Sequence, residues 1–144
     1  MIYLDTSVLV SLYSPDANSA TAIGFMQPCG DALLISTLCE LEAVNAFELR
    51  VFRHQISNSQ AGISLSDFAL DLRNGVIQLR TLPESAFERA RQLSRNFTAM
   101  LGTRAADVLH VAAAVELRAN GFFTFDRQQR QMAEAAGLAV ITLP

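Results

Sequence analysis

Ten residues decide the fold, and they read Met1-Ile2-Tyr3-Leu4-Asp5-Thr6-Ser7-Val8-Leu9-Val10. A short run of bulky apolar residues is followed by Asp5, by two small hydroxyl residues and by a second apolar run. The first run has the length of a buried strand, and Asp5 is a residue type that often caps the start of a helix. We therefore predict that Asp5 lies at the carboxyl end of a first strand. In open parallel sheets, this edge is where ligands bind.

Strand-like and helix-like segments alternate along the rest of the sequence. Further strands are predicted over residues 32–35, 76–80, 122–125 and 138–143. Helices are predicted after Asp5 and over residues 16–27, 37–54, 58–74, 83–100, 103–119 and 127–136. This alternation indicates an α/β fold with a parallel sheet, helices on both of its faces and right-handed crossovers. No linker or repeat divides the 144 residues, so residues 1–144 are predicted to form one domain.

Several helix starts follow the capping-box pattern, in which an N-cap residue is followed three positions later by Glu or Gln. The pattern is matched by Thr37 with Glu40, by Ser57 with Gln60 and by Asp126 with Gln129. Capping gives Glu40 a structural role, so we do not count it among the candidate functional acids.

The composition argues against a membrane or secreted protein. The longest apolar run, residues 108–115, is interrupted by His110 and is far shorter than the roughly 18 residues of a membrane span. The first residues lack the basic segment of a signal peptide. Cys29 and Cys39 have no metal-binding spacing and are expected to stay reduced. We expect a cytoplasmic protein with no membrane partner.

The charge balance bears on nucleic-acid binding. The chain has no lysine, and its 11 arginines face 14 acids, which gives a net charge of −3. A nucleic-acid binder usually carries a basic surface instead. The objection weakens if four of the acids hold a metal ion, because that leaves 10 acids against the 11 arginines.

Glu42 is the first acid without an evident structural role. It belongs to a helical stripe, spaced by three and four residues, that comprises Leu38, Glu42, Asn45, Leu49 and Phe52. Glu42 and Asn45 thus interrupt a face that is otherwise apolar. A glutamate that reaches past its neighbours to solvent would explain the pattern too, but we favour a functional role for Glu42.

Asp107 lies in a segment, residues 105–115, that is apolar almost all round and is therefore predicted to be buried. A buried carboxylate needs an opposite charge, hydrogen bonds or a metal ion. Pairing with Arg104 and a favourable position at a helix start are the structural alternatives. His110, three residues later, is either a neighbour that supports the site or a core histidine with satisfied hydrogen bonds.

Asp126 follows a predicted strand, as Asp5 does, although it also fits a helix N-cap. We expect the four acids to converge. Asp5 and Asp126 follow strands, Asp107 lies near the start of a buried helix, and Glu42 lies on an apolar stripe. Carboxylate oxygens without cysteine or paired histidine point to Mg²⁺ or Mn²⁺ rather than zinc. Such an ion lowers the pKa of a water molecule and stabilises charge on phosphate oxygens, so the cluster indicates phosphoryl chemistry.

The acidic segments together resemble those of the PIN-domain nucleases, and within them the VapC toxins of bacterial toxin–antitoxin pairs. Each segment is weak alone, but the four occur in the family's order and span nearly the whole chain. They are Ile2-Tyr3-Leu4-Asp5-Thr6-Ser7, Glu42-Ala43-Val44-Asn45-Ala46, Asp107-Val108-Leu109-His110-Val111-Ala112 and Thr124-Phe125-Asp126-Arg127.

The resemblance implies a PIN-like three-layer α/β/α fold whose five parallel strands have the order 3-2-1-4-5. It implies Mg²⁺- or Mn²⁺-dependent hydrolysis of RNA that leaves 5′-phosphate and 3′-hydroxyl ends. Asp5 and Asp107 match the family's most direct metal ligands, and Glu42 and Asp126 match the acids that complete the site.

The resemblance also implies supporting residues and partners. Thr6 and Thr124 match small polar residues near the metal, and RNA contact is left to arginines such as Arg104 and Arg127. Members of the family commonly form homodimers and are silenced by a small antitoxin whose arm enters the acidic groove.

Two other kinds of protein fit the sequence less well than a ribonuclease does. A phosphatase with an aspartyl nucleophile usually needs a second acid two residues after the first, where this chain has Ser7. A receiver-like domain needs an aspartate at the end of its third strand and a late lysine, and the chain has neither. A non-catalytic PIN-like module that binds RNA or another protein stays open as the alternative.

Overall fold

The computed structural model describes residues 1–27 and 30–141, and its centre is a five-stranded parallel sheet. The strands are β1 (Ile2–Leu4), β2 (Leu33–Ser36), β3 (Ile77–Arg80), β4 (Gly121–Phe123) and β5 (Ala139–Val140). Their order is β3-β2-β1-β4-β5, which confirms the predicted topology. The middle strand β1 pairs with both neighbours, and its Tyr3 lies opposite Leu34 in β2 and Phe122 in β4.

Helices connect the strands and cover both faces of the sheet. They are α1 (Thr6–Tyr13), α2 (Ser19–Met26), α3 (Thr37–Phe52), α4 (Asn58–Arg73), α5 (Ser85–Leu93), α6 (Ala99–Leu101), α7 (Ala105–Glu116) and α8 (Arg127–Ala135). A π-helical segment, Ser94–Thr98, joins α5 to α6. No helix in the described ranges combines the length and the apolar character that crossing a bilayer requires.

Two apolar cores lie on opposite faces of the sheet, because successive side chains of a strand point to opposite sides. In β1, Ile2 and Leu4 pack in one core with Phe47 of α3. Tyr3 packs in the other core, with residues of α7 and with Phe122, whose ring stacks on the tyrosine ring at 5.5 Å. The predicted three-layer α/β/α arrangement is confirmed.

The start of α3 differs from the prediction. The N-cap is Ser36, whose Oγ accepts a hydrogen bond from the Cys39 N–H at 3.4 Å, and not Thr37. Thr37 instead accepts a hydrogen bond from the backbone N–H of Leu82 at 3.1 Å. Glu40 lies in the first turn, but it is not part of a capping box. Two adjacent hydroxyl residues offered the same capping chemistry, and the extended backbone at Ser36 decides between them.

The apolar stripe predicted for α3 is also displaced. The buried side chains of the helix are Cys39, Ala43 and Phe47, whereas Phe52 is 79% exposed. Glu42 therefore lies at the border of the buried face and not in its middle.

Other element boundaries shift by a few residues. Helix α2 begins at Ser19 and not at Asp16, because the Asp16 carboxylate accepts hydrogen bonds from Asn18 N–H and Ser11 Oγ and organises a turn. Strand β4 ends at Phe123, two residues earlier than predicted. In the last predicted strand, 139–140 form β5, and residues 142–143 lie outside the described residues.

Candidate functional site

Asp5 lies at the carboxyl end of β1 and caps α1, as predicted. Its side chain is 4% exposed, and Oδ1 accepts hydrogen bonds from Ser7 Oγ at 2.6 Å and from the Val8 N–H at 3.3 Å. The backbone N–H of Asp5 donates to the carbonyl oxygen of Phe123 at 3.1 Å, which continues the pairing of β1 with β4. Burial raises the pKa of the carboxyl group, although these hydrogen bonds and His110 oppose the increase.

Glu42 is half-buried on α3 and is held from two sides. Its Oε2 accepts a hydrogen bond from Thr6 Oγ1 at 2.5 Å and lies 2.6 Å from His110 Nε2. Burial alone would raise the pKa of Glu42. The hydrogen bond to His110, the attraction of His110 and the hydrogen bond from Thr6 outweigh burial, so the pKa of Glu42 is lowered. Glu42 is therefore an anchored carboxylate.

Asp107 lies in the first turn of α7 and is half-buried. Burial raises its pKa, and the negative charge of Asp126 raises it further. The backbone amide of Arg104, His110 and the Arg104 charge offset part of this increase. Within the described ranges, Arg104 forms no ion pair with Asp107, so the pairing that we considered from the sequence is not formed.

Asp126 follows β4 and is exposed. As the N-cap of α8, its Oδ1 accepts a hydrogen bond from the Gln129 N–H at 2.8 Å. Its own backbone N–H donates to the Oγ1 of Thr124, which is buried, at 2.9 Å. Asp126 therefore caps a helix and also acts electrostatically on Asp107.

His110 connects the acids. It is 2% exposed in the middle of α7, with Nε2 against Glu42 and Nδ1 at 3.0 Å from the hydroxyl of Tyr3. It also influences the protonation of Asp5 and Asp107 electrostatically. The sequence patterns did not mark Tyr3 as a site residue, although it lies on β1 only two residues before Asp5.

The remaining predicted residues are less involved. Asn45, Arg104 and Arg127 are exposed. In the part of the chain that the structure describes, no side chain of the three forms a hydrogen bond or ion pair with the four acids. Their predicted contacts with RNA or with the site stay predictions.

The donor chemistry of the site fits a hard divalent cation. Burial raises the pKa of both Asp5 and Asp107, and a cation would offset that cost. Over residues 1–27 and 30–141, no group of three or more His, Cys, Asp or Glu side chains has the spacing of a formed metal site. Mg²⁺ usually takes only one or two carboxylates from the protein, with water and substrate phosphates as its other ligands.

The four acids do not line either of the two main cavities among the described residues. A cavity of about 480 Å³ lies between α3, α5 and α7, and its walls include Leu38, Phe87, Leu109 and the arginines Arg91 and Arg95. None of the four acids contributes to these walls. Asp5 and Asp126 directly follow β1 and β4. Glu42 lies in α3, the helix that follows β2, and Asp107 lies in the first turn of α7.

Comparisons with known proteins agree with the observed fold. The PIN domain family model matches residues 2–135 of this chain. A comparison with curated protein sequences finds no match.

Several solved structures share the fold. VapC20 from Mycobacterium tuberculosis, described as a sarcin–ricin loop cleaving toxin, is 18% identical, covers 96% of this chain and 97% of its own, and has a TM-score of 0.70. FitAcB from Neisseria gonorrhoeae is 18% identical over 99% of this chain and 97% of its own, with a TM-score of 0.69. VapBC2 from Rickettsia felis, bound to a DNA fragment from its promoter, is 15% identical over 98% of each chain, with a TM-score of 0.67. At these identities the likeness concerns the fold.

Proposed function

The chain belongs to the PIN domain family, and from that membership we propose that it is a Mg²⁺- or Mn²⁺-dependent endoribonuclease that serves as the toxin of a toxin–antitoxin pair. One observation carries the proposal. Glu42 contacts the buried His110 directly, and His110 also acts electrostatically on Asp5 and Asp107, while Asp126 acts on Asp107.

Asp5 and Asp107 are the residues that would hold the cation, with Glu42 and Asp126 completing the site. When bound, the cation would lower the pKa of a water molecule and neutralise charge that develops on the scissile phosphate. Glu42 enters the reaction already ionised, because His110 and Thr6 stabilise its charge. Among the described residues none donates to its second oxygen, Oε1, which leaves that atom for a ligand or a water molecule.

Water as the nucleophile leaves the 2′-hydroxyl of the RNA out of the reaction. Attack by the 2′-hydroxyl without metal needs an acid–base pair, often two histidines. The chain has two, but His110 is buried against Glu42, and His54 is exposed just beyond the end of α3. The expected products therefore carry 5′-phosphate and 3′-hydroxyl ends.

The toxin role draws on the solved structures with the same fold. One is described as a sarcin–ricin loop cleaving toxin, and another, from Klebsiella pneumoniae, as a toxin–antitoxin complex. We propose by analogy that this chain binds a small antitoxin and forms a homodimer. Its induced expression in a bacterial host should arrest growth, and the same expression of Asp107→Asn should not.

The alternative is a PIN-like module that binds RNA or another protein without cleaving it. The observation that favours it is that residues 1–27 and 30–141 contain no preformed three-ligand metal cluster. Such a module would bind RNA equally well with and without EDTA and would leave the RNA intact.

Cleavage of a short labelled single-stranded RNA tests the proposal. The purified protein should cut it with Mg²⁺ or Mn²⁺, stop on addition of EDTA, and leave 5′-phosphate ends. Asp107→Asn should be folded and inactive. Glu42→Gln should lose at least about 100-fold in rate, whereas Glu40→Gln, a change on the same helix outside the site, should cleave normally. Cyclic-phosphate ends or full activity in EDTA would reject the mechanism.

A further inference from the structure

A continuous set of hydrogen bonds runs through the interior to Glu42. The Tyr3 hydroxyl lies 2.7 Å from Ser36 Oγ and 3.0 Å from His110 Nδ1, and His110 Nε2 lies 2.6 Å from Glu42 Oε2. Ser36 accepts the backbone N–H of Cys39 at 3.4 Å. The set joins β1, β2, α3 and α7, and the side chains of Tyr3, Ser36 and His110 are buried.

The direction of these hydrogen bonds follows from the donors and acceptors available. An ionised Glu42 can only accept, so the proton of the contact must be on Nε2 of His110. In neutral imidazole, Nδ1 is then an acceptor and accepts a hydrogen bond from the Tyr3 hydroxyl. The Tyr3 oxygen in turn accepts from Ser36, whose oxygen accepts from the Cys39 N–H. With a neutral ring, every member of the set has a hydrogen-bond partner in this arrangement.

We propose that His110 is a positioning residue for Glu42, held in the required tautomer and orientation by the Tyr3 hydroxyl. This inference rests on the proposed function, since it assigns His110 and Tyr3 to the same acidic site. Their role is to fix Oε2 of Glu42, so that the carboxylate meets the cation or its water without first losing rotational freedom.

Two features of the geometry favour this role over that of an ordinary core histidine. A core histidine is satisfied by any nearby backbone group, whereas both ring nitrogens of His110 contact side chains, one of them a candidate catalytic acid. Thr6 contributes a second bond to the same Oε2 atom, so two donors from different helices fix one oxygen. Partners that orient ligands in this way typically change metal affinity or activity by about 10–100-fold when they are mutated.

Two substitutions at His110 distinguish a role in positioning Glu42 from a role in filling space in the core. The amide nitrogen of glutamine can take the place of Nε2, so His110→Gln keeps the donor to Glu42. Asparagine is shorter and reaches only the Nδ1 position, so His110→Asn keeps a partner for Tyr3 and loses the contact with Glu42. Tyr3→Phe removes the hydroxyl and keeps the ring that stacks on Phe122. His54→Asn, at the exposed second histidine, is the control.

The first readout is the tautomer of His110 in the cation-free protein, measured by long-range ¹H–¹⁵N correlation. The chain has two histidines, so the spectrum of His54→Asn identifies the signals of His110. We expect a proton on Nε2 that exchanges slowly with water, and faster exchange in Tyr3→Phe. A neutral ring with its proton on Nδ1 would overturn the proposal, because its lone pair would face Glu42. This readout does not depend on RNA cleavage.

The second readout is Mn²⁺ binding by calorimetry together with kcat and KM for RNA cleavage. His110→Asn should weaken Mn²⁺ binding and lower kcat by about 10-fold or more, with little change in KM, and His110→Gln should restore most of both. Unchanged Mn²⁺ affinity and kcat in a folded His110→Asn protein would overturn the positioning role. Failure of the proposed function looks different, since wild type itself would then neither bind Mn²⁺ nor cleave RNA.

Discussion

Ser7 ties Asp5 to the segment that carries Asp126. Its Oγ donates to Asp5 Oδ1 at 2.6 Å and accepts a hydrogen bond from the backbone N–H of Phe125 at 3.0 Å. One hydroxyl group thus connects the end of β1 with the connection between β4 and α8. The spacing between Asp5 and Asp126 therefore depends on an uncharged, half-buried serine.

Replacement of Ser7 by alanine should destabilise the protein and slow cleavage. The change leaves the Phe125 N–H without its partner and removes a bond from Asp5, which should cost about 1–3 kcal/mol of unfolding free energy. Urea denaturation measures this cost. Ser85→Ala removes a serine hydroxyl that bonds the Glu116 side chain near the surface and should cost less than about 0.5 kcal/mol. Equal unfolding free energies of the two variants would show that the hydrogen bonds of Ser7 do not contribute to stability.

The burial of Asp5 predicts an unusual pH dependence. Its pKa is raised above the ordinary value of 3.8, so the folded state holds the proton more tightly than the unfolded state. The contribution of this group to stability is complete below the unfolded pKa and is lost as the pH rises through the folded pKa. Without a cation, Asp5→Asn should therefore melt at a higher temperature than wild type at neutral pH, and the difference should shrink on acidification.

Differential scanning calorimetry in EDTA over a pH series measures this effect. Asparagine keeps an oxygen that can accept from Ser7 and Val8, so the variant removes the charge and retains the helix cap. The exposed Asp67→Asn is the matched control and should change the melting temperature little. A less stable Asp5→Asn protein at neutral pH would mean that its ionised form is stabilised by the fold.

Much of the fold was predictable because it rests on local patterns. The apolar residues 2–4 before Asp5 and the nearly all-apolar segment 105–115 predicted a buried strand and a buried helix, and both are found. The start of α3 was not predictable in the same way. Ser36 and Thr37 have equivalent capping chemistry, and the choice between them depends on where β2 stops pairing with β3, at Ser36 opposite Arg80.

The acids of the site were proposed from spacing, but the contacts between them depend on the tertiary structure. Tyr3 and His110 are 107 positions apart, and no local pattern marks them as partners. Glu42 was predicted as a site residue because it interrupts an apolar stripe of α3. The structure does not support that reason, because the buried face of α3 is formed by Cys39, Ala43 and Phe47. A polar residue at the border of a buried face is a better description of Glu42.

Gly102 caps the end of α6 and lies three residues before the start of α7, the helix of Asp107 and His110. Its φ is 68°, in the left-handed region, and an added Cβ would lie 3.3 Å from Gln128 Nε2. Gly102→Ala should lower the unfolding free energy by about 1 kcal/mol because alanine is strained there. Gly62, inside α4 with nothing within 4 Å of an added Cβ, is the matched site, where alanine should raise stability by about 0.5–1 kcal/mol. Shifts of the urea midpoint in the same direction would contradict this assignment.

Asp126 combines two roles that substitutions can separate. Its Oδ1 caps α8, and its charge raises the pKa of Asp107. Asparagine caps helices about as well as aspartate, so Asp126→Asn removes the charge alone, whereas Asp126→Ala also removes the cap and should cost about 1 kcal/mol. In EDTA at neutral pH, Asp126→Asn should therefore be at least as stable as wild type, because it relieves the repulsion of Asp107, and Asp126→Ala should be less stable than Asp126→Asn.

Mn²⁺ should raise the melting temperature of wild type by mass action, and it should raise that of both variants less. A full Mn²⁺ shift in Asp126→Asn would remove Asp126 from the cation site and leave it as a helix cap.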